Sequence, residues 1–324
     1  MNYIEEALKN YNMLQEQIKL LRHNENMTIR VGEAFLLRIH KPVEGFSTGY
    51  MYETLDKRAV RREELQFLSY LQENGMQVQT PIKNKDGEEV TVLSDGTLAT
   101  MLTWLPGHDI DADDISQESC VAIGVMVAKL HQASKGYVPE TILSYDAKLC
   151  LSLKEKIYSA WNSDKPEENL KLKKEYFECM AGVCEVIAMR LSEKEKEFFP
   201  VHTDLSLSNI LITESGLVPI DFSLFGYGHP MMDLGALFCS RLNSLKNRQA
   251  VAEGYISAGG TIDYEMLDCC FALNVLLGIG LHMDKWRKEE WFSSRLERWC
   301  REMFEPLWKG KKLFSEDFYL LNVK

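Results

Sequence analysis

A short stretch near the middle of the chain carries polar residues whose types and spacing suit catalysis. His202, Asp204 and Asn209 lie close together, and Asp221 follows after two apolar runs that flank the polar turn Thr213–Gly216. This pattern predicts a strand, a turn and a second strand, which would bring Asp221 back beside the other residues. Carboxylate and amide oxygens are ligands that Mg²⁺ accepts, and a carboxylate can also take up a proton.

The same residues match the protein-kinase pattern His-x-Asp-Leu-x-x-x-Asn, with Asp221-Phe222 where that pattern continues with Asp-Phe-Gly. In phosphoryl transfer the protein mainly positions the reactants and neutralises charge around the γ-phosphate. Asp204 would accept a proton from the attacking hydroxyl or orient it, and Asn209 and Asp221 would hold Mg²⁺. His202 would brace the loop. A β-hairpin with incidental polar ends is the alternative, but the joint spacing favours the catalytic interpretation.

Composition describes an ordinary globular protein. The chain has 324 residues, 45% of them hydrophobic and 26% charged, which is long enough for two lobes. Neither a signal peptide nor a membrane span is indicated, so we expect a cytoplasmic protein without a membrane partner. The eight cysteines contain no Cys-x-x-Cys pair, and we expect mostly buried, reduced thiols. The net charge of −11 argues against nucleic acid and is compatible with a cationic substrate.

The N-terminal segment is predicted to begin with a helix and continue as strands. Apolar residues at helical spacing predict one amphipathic helix over residues 1–22. Strands are predicted over 27–31 and 34–40. The turn 23–26 between helix and strands could cover nucleotide phosphates with backbone N–H groups, with Asn26 as the candidate binding residue. Because this turn contains no glycine, an ordinary Asn-rich β-turn is the alternative.

A second helix is predicted over 55–74, ended by Asn74-Gly75. In a kinase-like arrangement this helix supplies a glutamate that pairs with a cation on the preceding strand. Glu64 is the first candidate and Glu63 the second, and Arg38 would be the cation. A solvated helix face with paired charges is the alternative. An arginine differs from a lysine here because its planar fork can grip a phosphate or a carboxylate at two points.

The boundary between the lobes is predicted at Pro106-Gly107. Strands are expected over 88–93 and 97–103, and the chain then reaches this linker-like dipeptide. An adenine would lie against the segment, with backbone groups of Thr103 and Leu105 reading its edge. This gives an N-terminal nucleotide-binding lobe, residues 1–105, and a catalytic and substrate-binding lobe, residues 106–324. The acidic residues between 109 and 114 are expected to be solvated; attraction of a cationic substrate is the alternative.

The second lobe is predicted to be mainly helical. Helices are expected over 116–134, over two segments of 145–192 broken around 162–166, from Asp233, as N-cap, to Leu242, and across 247–307. The tryptophans of the last segment are expected in the core. An aromatic cage for a cation is the alternative.

This order of elements resembles the aminoglycoside phosphotransferase and choline kinase family, from about Asn26 to Leu242. The most specific pieces are 202–209, Ile220-Asp221-Phe222 and the run Gly228-His229-Pro230-Met231-Met232-Asp233-Leu234. The resemblance implies an α+β, two-lobed protein-kinase-like fold with a small antiparallel sheet in the first lobe. It also implies Asp204 as base, Asn209 and Asp221 on Mg²⁺, Arg38 on the α- and β-phosphates of ATP or GTP, and Glu64 as the partner of Arg38.

Departures from the kinase pattern narrow the hypothesis. Thr203 replaces the arginine of His-Arg-Asp, and only a short segment separates Ser223 from Asp233, so a regulated protein kinase is disfavoured. The leading interpretation is a kinase, monomeric or homodimeric, that phosphorylates a hydroxyl of a small, possibly cationic molecule. A catalytically weak or inactive nucleotide-binding protein with the same fold is the main alternative, and a metal-dependent hydrolase is a distant third.

Overall fold

The structure is a computed structural model that describes residues 3–46, 48–161, 173–240, 242 and 244–314. It has the predicted α+β organisation, with a sheet-rich N-terminal lobe followed by a mainly helical lobe. The eight cysteines are free thiols and seven of them are buried, as predicted.

The N-terminal lobe is built on one antiparallel sheet. Its strands are β1 (Ile18–His23), β2 (Met27–Val31), β3 (Phe35–Ile39), β4 (Pro81–Ile82), β5 (Thr91–Val92) and β6 (Leu98–Thr103). The order is β1-β2-β3-β6-β4, and β5 also pairs with β6. Helix α1 (Tyr3–Asn10) packs Ala7 and Leu8 against Ile29, Leu37 and Met101 of the sheet. Burial of these side chains fixes the central strand β3, which carries Arg38.

The prediction of one helix over residues 1–22 is wrong in its second half. Helix α1 ends at Asn10 because Asn12 adopts a left-handed conformation (φ 57°), a common way for a helix to stop. The chain then returns as β1, in which Ile18 is 48% exposed and Leu21 40% exposed. The apolar spacing of this segment therefore did not mark a buried helical face.

Helix α2 (Lys57–Glu73) follows the prediction closely. The side chain of its N-cap, Asp56, accepts a hydrogen bond from the backbone N–H of Arg58, and Gly75 beyond the end has a φ of 82°. The predicted strand over 88–93 is shorter, because only 91–92 pair with β6. The predicted strand over 97–103 is β6.

The second lobe contains most of the helices. Within the described residues they are α3 (Gln117–Ser134), α4 (Ala147–Trp161), α5 (Lys174–Lys194), α6 (Met231–Cys239), α7 (Leu245–Ser257), α8 (Tyr264–Trp286), α9 (Glu290–Trp299) and α10 (Glu305–Trp308). The predicted break around 162–166 falls outside the described residues. Helix α8 is the one described helix long and apolar enough to cross a membrane, but 78% of its most apolar stretch is buried inside the protein. It has the burial of a core helix.

Two small sheets at the base of the cleft carry the loops of interest. One has the order β11-β10-β7, from β7 (His108–Asp109), β10 (Ile210–Thr213) and β11 (Gly216–Pro219). The other has the order β8-β12-β9, from β8 (Leu143–Ser144), β9 (Phe199–Val201) and β12 (Gly226–Gly228). The predicted hairpin after Asn209 is the β10–β11 pair. The two sheets therefore bring the end of β9 close to the end of β11.

The predicted role of Asp233 as a helix N-cap is wrong. Helix α6 begins at Met231, after Pro230, so Asp233 lies inside its first turn. The side chain is fully buried and points away from the helix end, toward the loop that follows β9. A buried carboxylate must find donors inside the protein, and the loop supplies them.

Helices α3 and α7 cross at two glycines. An ideal Cβ at Gly124 would lie 2.0 Å from the carbonyl oxygen of Val251, and one at Gly254 would lie 2.0 Å from that of Val121. Each glycine therefore permits backbone contact that a methyl group would prevent. The crossing holds α3 against α7, where His131 Nδ1 lies 2.9 Å from the Tyr255 hydroxyl.

We expect Gly124→Ala to lower the free energy of unfolding by about 1–3 kcal/mol, because the helices must separate to admit the methyl group. Urea unfolding followed by circular dichroism measures this. Gly49→Ala is the matched control, since nothing lies within 4 Å of its added Cβ. Equal stability of the two variants would show that the crossing tolerates the methyl group.

Candidate active site

The loop after β9 presents Asp204 to a cavity between the lobes. Its side chain is exposed within that cavity, while the neighbouring residues of the loop are buried. The Nδ2 of Asn209 donates to the backbone carbonyl of Asp204 at 2.8 Å and to its Oδ2 at 3.1 Å. These two bonds orient the carboxylate of Asp204 and fix the amide of Asn209.

Asn209 has one polar atom that the protein does not satisfy. Its Oδ1 is buried and has no hydrogen-bond partner among the described residues, although Nδ2 is fully engaged. A buried amide oxygen without a partner costs free energy unless a ligand completes it. A hard cation prefers such an oxygen, so the donor set of Asn209 and nearby Asp221 fits Mg²⁺.

Asp221 ends the hairpin in a left-handed conformation (φ 64°), which turns its carboxylate into the cleft. Oδ1 lies 3.5 Å from Nη1 of Arg38, and Oδ2 is paired with Arg22. Burial opposes the negative charge, but the two guanidinium groups and the Ser223 hydroxyl outweigh it and hold the pKa of Asp221 below its ordinary value. The carboxylate is therefore ionised and able to bind a cation.

Asp204 has the opposite electrostatic environment. The partial loss of water around its carboxylate within the cavity raises its pKa most, and the charges of Asp221 and Glu25 raise it further, against the hydrogen bond from Asn209 and the charge of Arg22. Burial likewise raises the pKa of Glu25 to about 7, with Asp221 and Glu64 adding to the effect and Arg61 opposing it. Crowded carboxylates of this kind are stabilised when a cation enters.

Arg38 and Glu64 form a buried ion pair between β3 and α2. Arg38 Nη2 lies 2.5 Å from Glu64 Oε1, and their side chains are 3% and 1% exposed. Arg61 holds the second oxygen of Glu64 at 3.1 Å and donates to the Ser223 carbonyl at 2.6 Å. Glu63, the second candidate for the Arg38 partner, instead accepts hydrogen bonds from the Tyr137 hydroxyl and two backbone N–H groups.

His202 braces the loop rather than facing the cavity. Its Nε2–H donates to the backbone carbonyl of Ile220 at 2.9 Å, which ties the loop after β9 to the residue before Asp221. The ring packs on Phe222, with centroids 4.4 Å apart. Its Nδ1 is buried and has no hydrogen-bond partner within the part of the chain that the structure describes. His202 therefore links the loop after β9 to the segment around Asp221.

Asp233 secures the same loop from behind. It accepts hydrogen bonds from the backbone N–H of His202 (3.2 Å), from that of Thr203 (2.6 Å) and from Nε2 of His131 (3.0 Å). Thr203 has a φ of 67°, which is strained for a β-branched residue. The Thr203 hydroxyl adds a bond to the Leu224 carbonyl at 2.7 Å. The strained turn therefore persists because buried partners hold it on both sides.

Two cavities meet beside Asp221. The larger, about 530 Å³, lies under β1 and β3 and is lined by Leu36, Arg38, Trp104 and Leu105 among others. Leu105, one of the two residues predicted to border an adenine, lines this cavity. Thr103 does not line this cavity: its N–H donates to Thr80, and its carbonyl accepts from the Gln79 side chain. Its backbone is engaged within the lobe.

The smaller cavity, about 390 Å³, contains Asp204, Asn209 and Asp221. Its outer wall is formed by Phe46, His282, Lys285 and Trp286 and by the exposed carboxylate of Glu44. The rings of His282 and Trp286 stack with centroids 4.6 Å apart. Trp286, which was expected in the core with the other tryptophans of the last segment, therefore lines the cleft. Asn26 also borders this cavity, but its side-chain oxygen is hydrogen-bonded to His40 at 2.8 Å.

Comparison with known proteins identifies the class. The model of the phosphotransferase enzyme family (APH) matches residues 17–268, so the chain belongs to that family. An amicoumacin kinase of Bacillus subtilis (strain 168) is 22% identical over 243 residues, which cover 72% of this chain and 65% of that protein. A homoserine kinase of Cupriavidus necator is 37% identical over 73 residues, 22% of this chain and 21% of that protein. The matched segments thus span less than two thirds of these relatives.

Solved structures share the fold. An amicoumacin kinase in complex with AMP-PNP, Ca²⁺ and Ami has a TM-score of 0.70 at 16% identity, with 93% of this chain and 92% of that chain covered. A microcompartment-associated aminopropanol kinase has a TM-score of 0.65 at 18% identity, with 92% and 93% covered. The choline kinase of Streptococcus pneumoniae has a TM-score of 0.64 at 15% identity, with 92% and 96% covered. The two-lobed protein-kinase-like fold predicted from the sequence is confirmed.

Proposed function

We propose that this protein is a small-molecule kinase that transfers the γ-phosphate of ATP or GTP to a hydroxyl of a small metabolite or aminoglycoside-like acceptor. The observation that carries the proposal is that Asp204, Asn209 and Asp221 line one cavity, that Asp221 also lines the neighbouring one, and that the buried amide oxygen of Asn209 has no partner among the described residues. Family membership supports the reaction class. The particular acceptor and nucleotide are part of the proposal.

Each residue has a distinct task in this mechanism. Asp204 orients the acceptor hydroxyl and takes its proton as the bond to phosphorus forms, a contribution of about two to four powers of ten in rate. Asn209 and Asp221 would hold Mg²⁺, which neutralises phosphate charge when bound. Arg38, fixed by Glu64, presents its guanidinium to the α- and β-phosphates; its Nε is buried and has no partner among the described residues.

The two cavities divide the substrates between them. The nucleotide base would lie in the larger cavity against Leu36, Trp104 and Leu105, and the acceptor would lie in the smaller one. A volume of about 390 Å³ suits one small molecule rather than a protein segment. Aromatic rings and the Glu44 carboxylate at its mouth favour an acceptor that carries an amine, because a cation is attracted to both.

The test is a panel of acceptors incubated with Mg²⁺ and either ATP or GTP, with release of the nucleoside diphosphate as the readout. The panel contains aminoglycosides, choline-like amines, amino-acid alcohols and sugars. We expect diphosphate release above the acceptor-free rate for at least one amine-bearing alcohol, and loss of that release in EDTA. Equal rates with and without every acceptor would contradict a kinase of this class.

A second candidate is a nucleotide-binding protein with weak or no catalysis. Two observations favour it. Arg22 forms an ion pair with Asp221, the carboxylate that would hold the cation, and the turn between β1 and β2 contains no glycine. Magnesium-dependent nucleotide binding, measured by calorimetry, with no transfer to any acceptor would support it over the kinase.

A further inference from the structure

Arg22 occupies a position between the two cavities. It is the next-to-last residue of β1 and lines both the nucleotide cavity and the cavity of Asp204. The pairing of β1 with β2 shifts between Leu20 and Arg22, so Leu21 is a bulged residue. A bulge redirects the side chains that follow it and is frequent beside active sites. The irregularity explains how a residue on an edge strand reaches the carboxylate at the base of the cleft.

Asp221 is shared by two arginines that differ in how firmly they are held. Arg38 is 3% exposed and is also paired with Glu64. Arg22 is 43% exposed, and Asp221 is its one carboxylate partner among the described residues. Because exposed ion pairs contribute little stability, the Arg22 contact is the weaker one. A group that competes for Asp221 will therefore displace Arg22 and leave Arg38 in place.

We propose that Arg22 is a phosphate-binding residue that rests on Asp221 in the free protein and transfers to the nucleotide phosphates when a divalent cation takes the carboxylate. This inference rests on the proposed function. A cation on Asp221 would repel the guanidinium, while the phosphates attract it, so both forces act in the same direction. The planar fork of arginine can grip phosphate oxygens at two points. Arg22 would thus do the work that backbone N–H groups of a glycine-rich turn do elsewhere.

The neighbouring Glu25 explains why the movement involves the side chain alone. Its Oε2 accepts a hydrogen bond from the Ser223 hydroxyl at 3.2 Å, and its Oε1 lies 3.7 Å from Nη2 of Arg61. Arg61 is in turn anchored on Glu64. The turn after β1 is therefore docked on α2 and on the residue that replaces the glycine of Asp-Phe-Gly. Its backbone remains in place while Arg22 changes partners.

The experiment compares Arg22→Gln with the wild-type protein in two binding measurements. In the first, calorimetry with ATP or GTP and Mg²⁺, we expect nucleotide binding to weaken about 10- to 100-fold, because a charge-assisted contact to phosphate is lost. In the second, electron paramagnetic resonance with Mn²⁺ and no nucleotide, we expect the cation to bind about two- to fivefold more tightly, because Arg22 no longer competes for Asp221.

Lys19→Gln is the matched control, since it removes one positive charge from the same strand at an exposed position outside both cavities. It should change neither measurement. Arg22→Lys should restore part of the nucleotide affinity, because the charge remains and the fork is lost. Unchanged nucleotide affinity in Arg22→Gln, or Mn²⁺ binding that does not tighten, would overturn the inference. Absence of nucleotide binding in the wild-type protein would instead contradict the proposed function.

Discussion

Replacing Asp204 by Asn is expected to lower kcat by about two to four powers of ten, because the amide has the same size but does not accept the proton of the acceptor hydroxyl. The loop should keep its shape, since the backbone carbonyl of residue 204 still accepts from Asn209 and the side-chain oxygen can do so too. Nucleotide binding should change little. The measurements are the initial rate with the acceptor found in the panel and the nucleotide affinity by calorimetry.

Asp86→Asn is the control for this variant, because Asp86 is an exposed residue of a turn and lines neither cavity. It should retain the wild-type rate. A normal kcat in Asp204→Asn would remove Asp204 from the role of base. A loss of rate that is matched by an equal loss of nucleotide affinity would show that Asp204 contributes to binding instead.

Replacing Asp233 by Asn is expected to lower the free energy of unfolding by about 3–5 kcal/mol. A total stability of about 5–15 kcal/mol is usual, so this loss would remove a large part of it. Asp233 accepts from three donors, and an amide would turn an NH₂ group toward one of them. The strained backbone of Thr203 would also lose one of its restraints. Urea unfolding measures the change, and Asp114→Asn, at an exposed position, is the control.

The stabilities of the wild-type protein and of Asp233→Asn should respond differently to acid. Burial opposes the charge of Asp233, but the hydrogen bond and charge of His131, the charge of His202 and the N–H of Thr203 outweigh it, so the pKa of Asp233 is lowered when the protein folds. A lowered carboxyl pKa contributes stability that is present above the unfolded value of about 3.9 and is lost as the pH falls through the folded value. The stability gap between wild type and Asp233→Asn should therefore narrow below about pH 4.

A gap that stays constant from pH 7 to pH 3 would contradict a charged, hydrogen-bonded Asp233. A stability equal to that of the Asp114→Asn control at neutral pH would show that the three donors find other partners. The second result would make the loop after β9 independent of α6.

The residues near Asp204 were predictable because their arrangement is local. His202, Asp204 and Asn209 share one loop, and a tight hairpin returns the chain to Asp221 within a few residues. Turn chemistry and strand patterning therefore constrain their relative positions without knowledge of the whole fold. Their roles remain predictions, which the variants above test. The pairing of Arg38 with Glu64 was accessible only through the expected order of strand and helix.

Arg22, Glu25 and Asp233 were not predicted as site residues. Arg22 fell within the segment interpreted as a helix, because the apolar spacing of residues 1–22 hid the break at Asn12. Asp233 stood three residues after Pro230 near a helix start, where a cap is the usual interpretation of an aspartate. The partners of all three residues lie far away in sequence, and no local pattern reports such contacts. The absence of glycine in the turn after β1 was the one available signal for Arg22 and Glu25.

The linker between the lobes is held by backbone hydrogen bonds at both of its ends. The N–H of Trp104 donates to the Ala34 carbonyl at 2.7 Å, which anchors the linker to β3, and β7 pairs with β10 directly after Gly107. An ideal Cβ at Gly107 would lie 2.8 Å from the Ile212 carbonyl oxygen, so the backbone of the linker lies close to that of β10. Any opening of the cleft must pivot within residues 105–107. Strand β10, which pairs with the end of the linker, begins directly after Asn209, so a rotation of the lobes would be transmitted to Asn209.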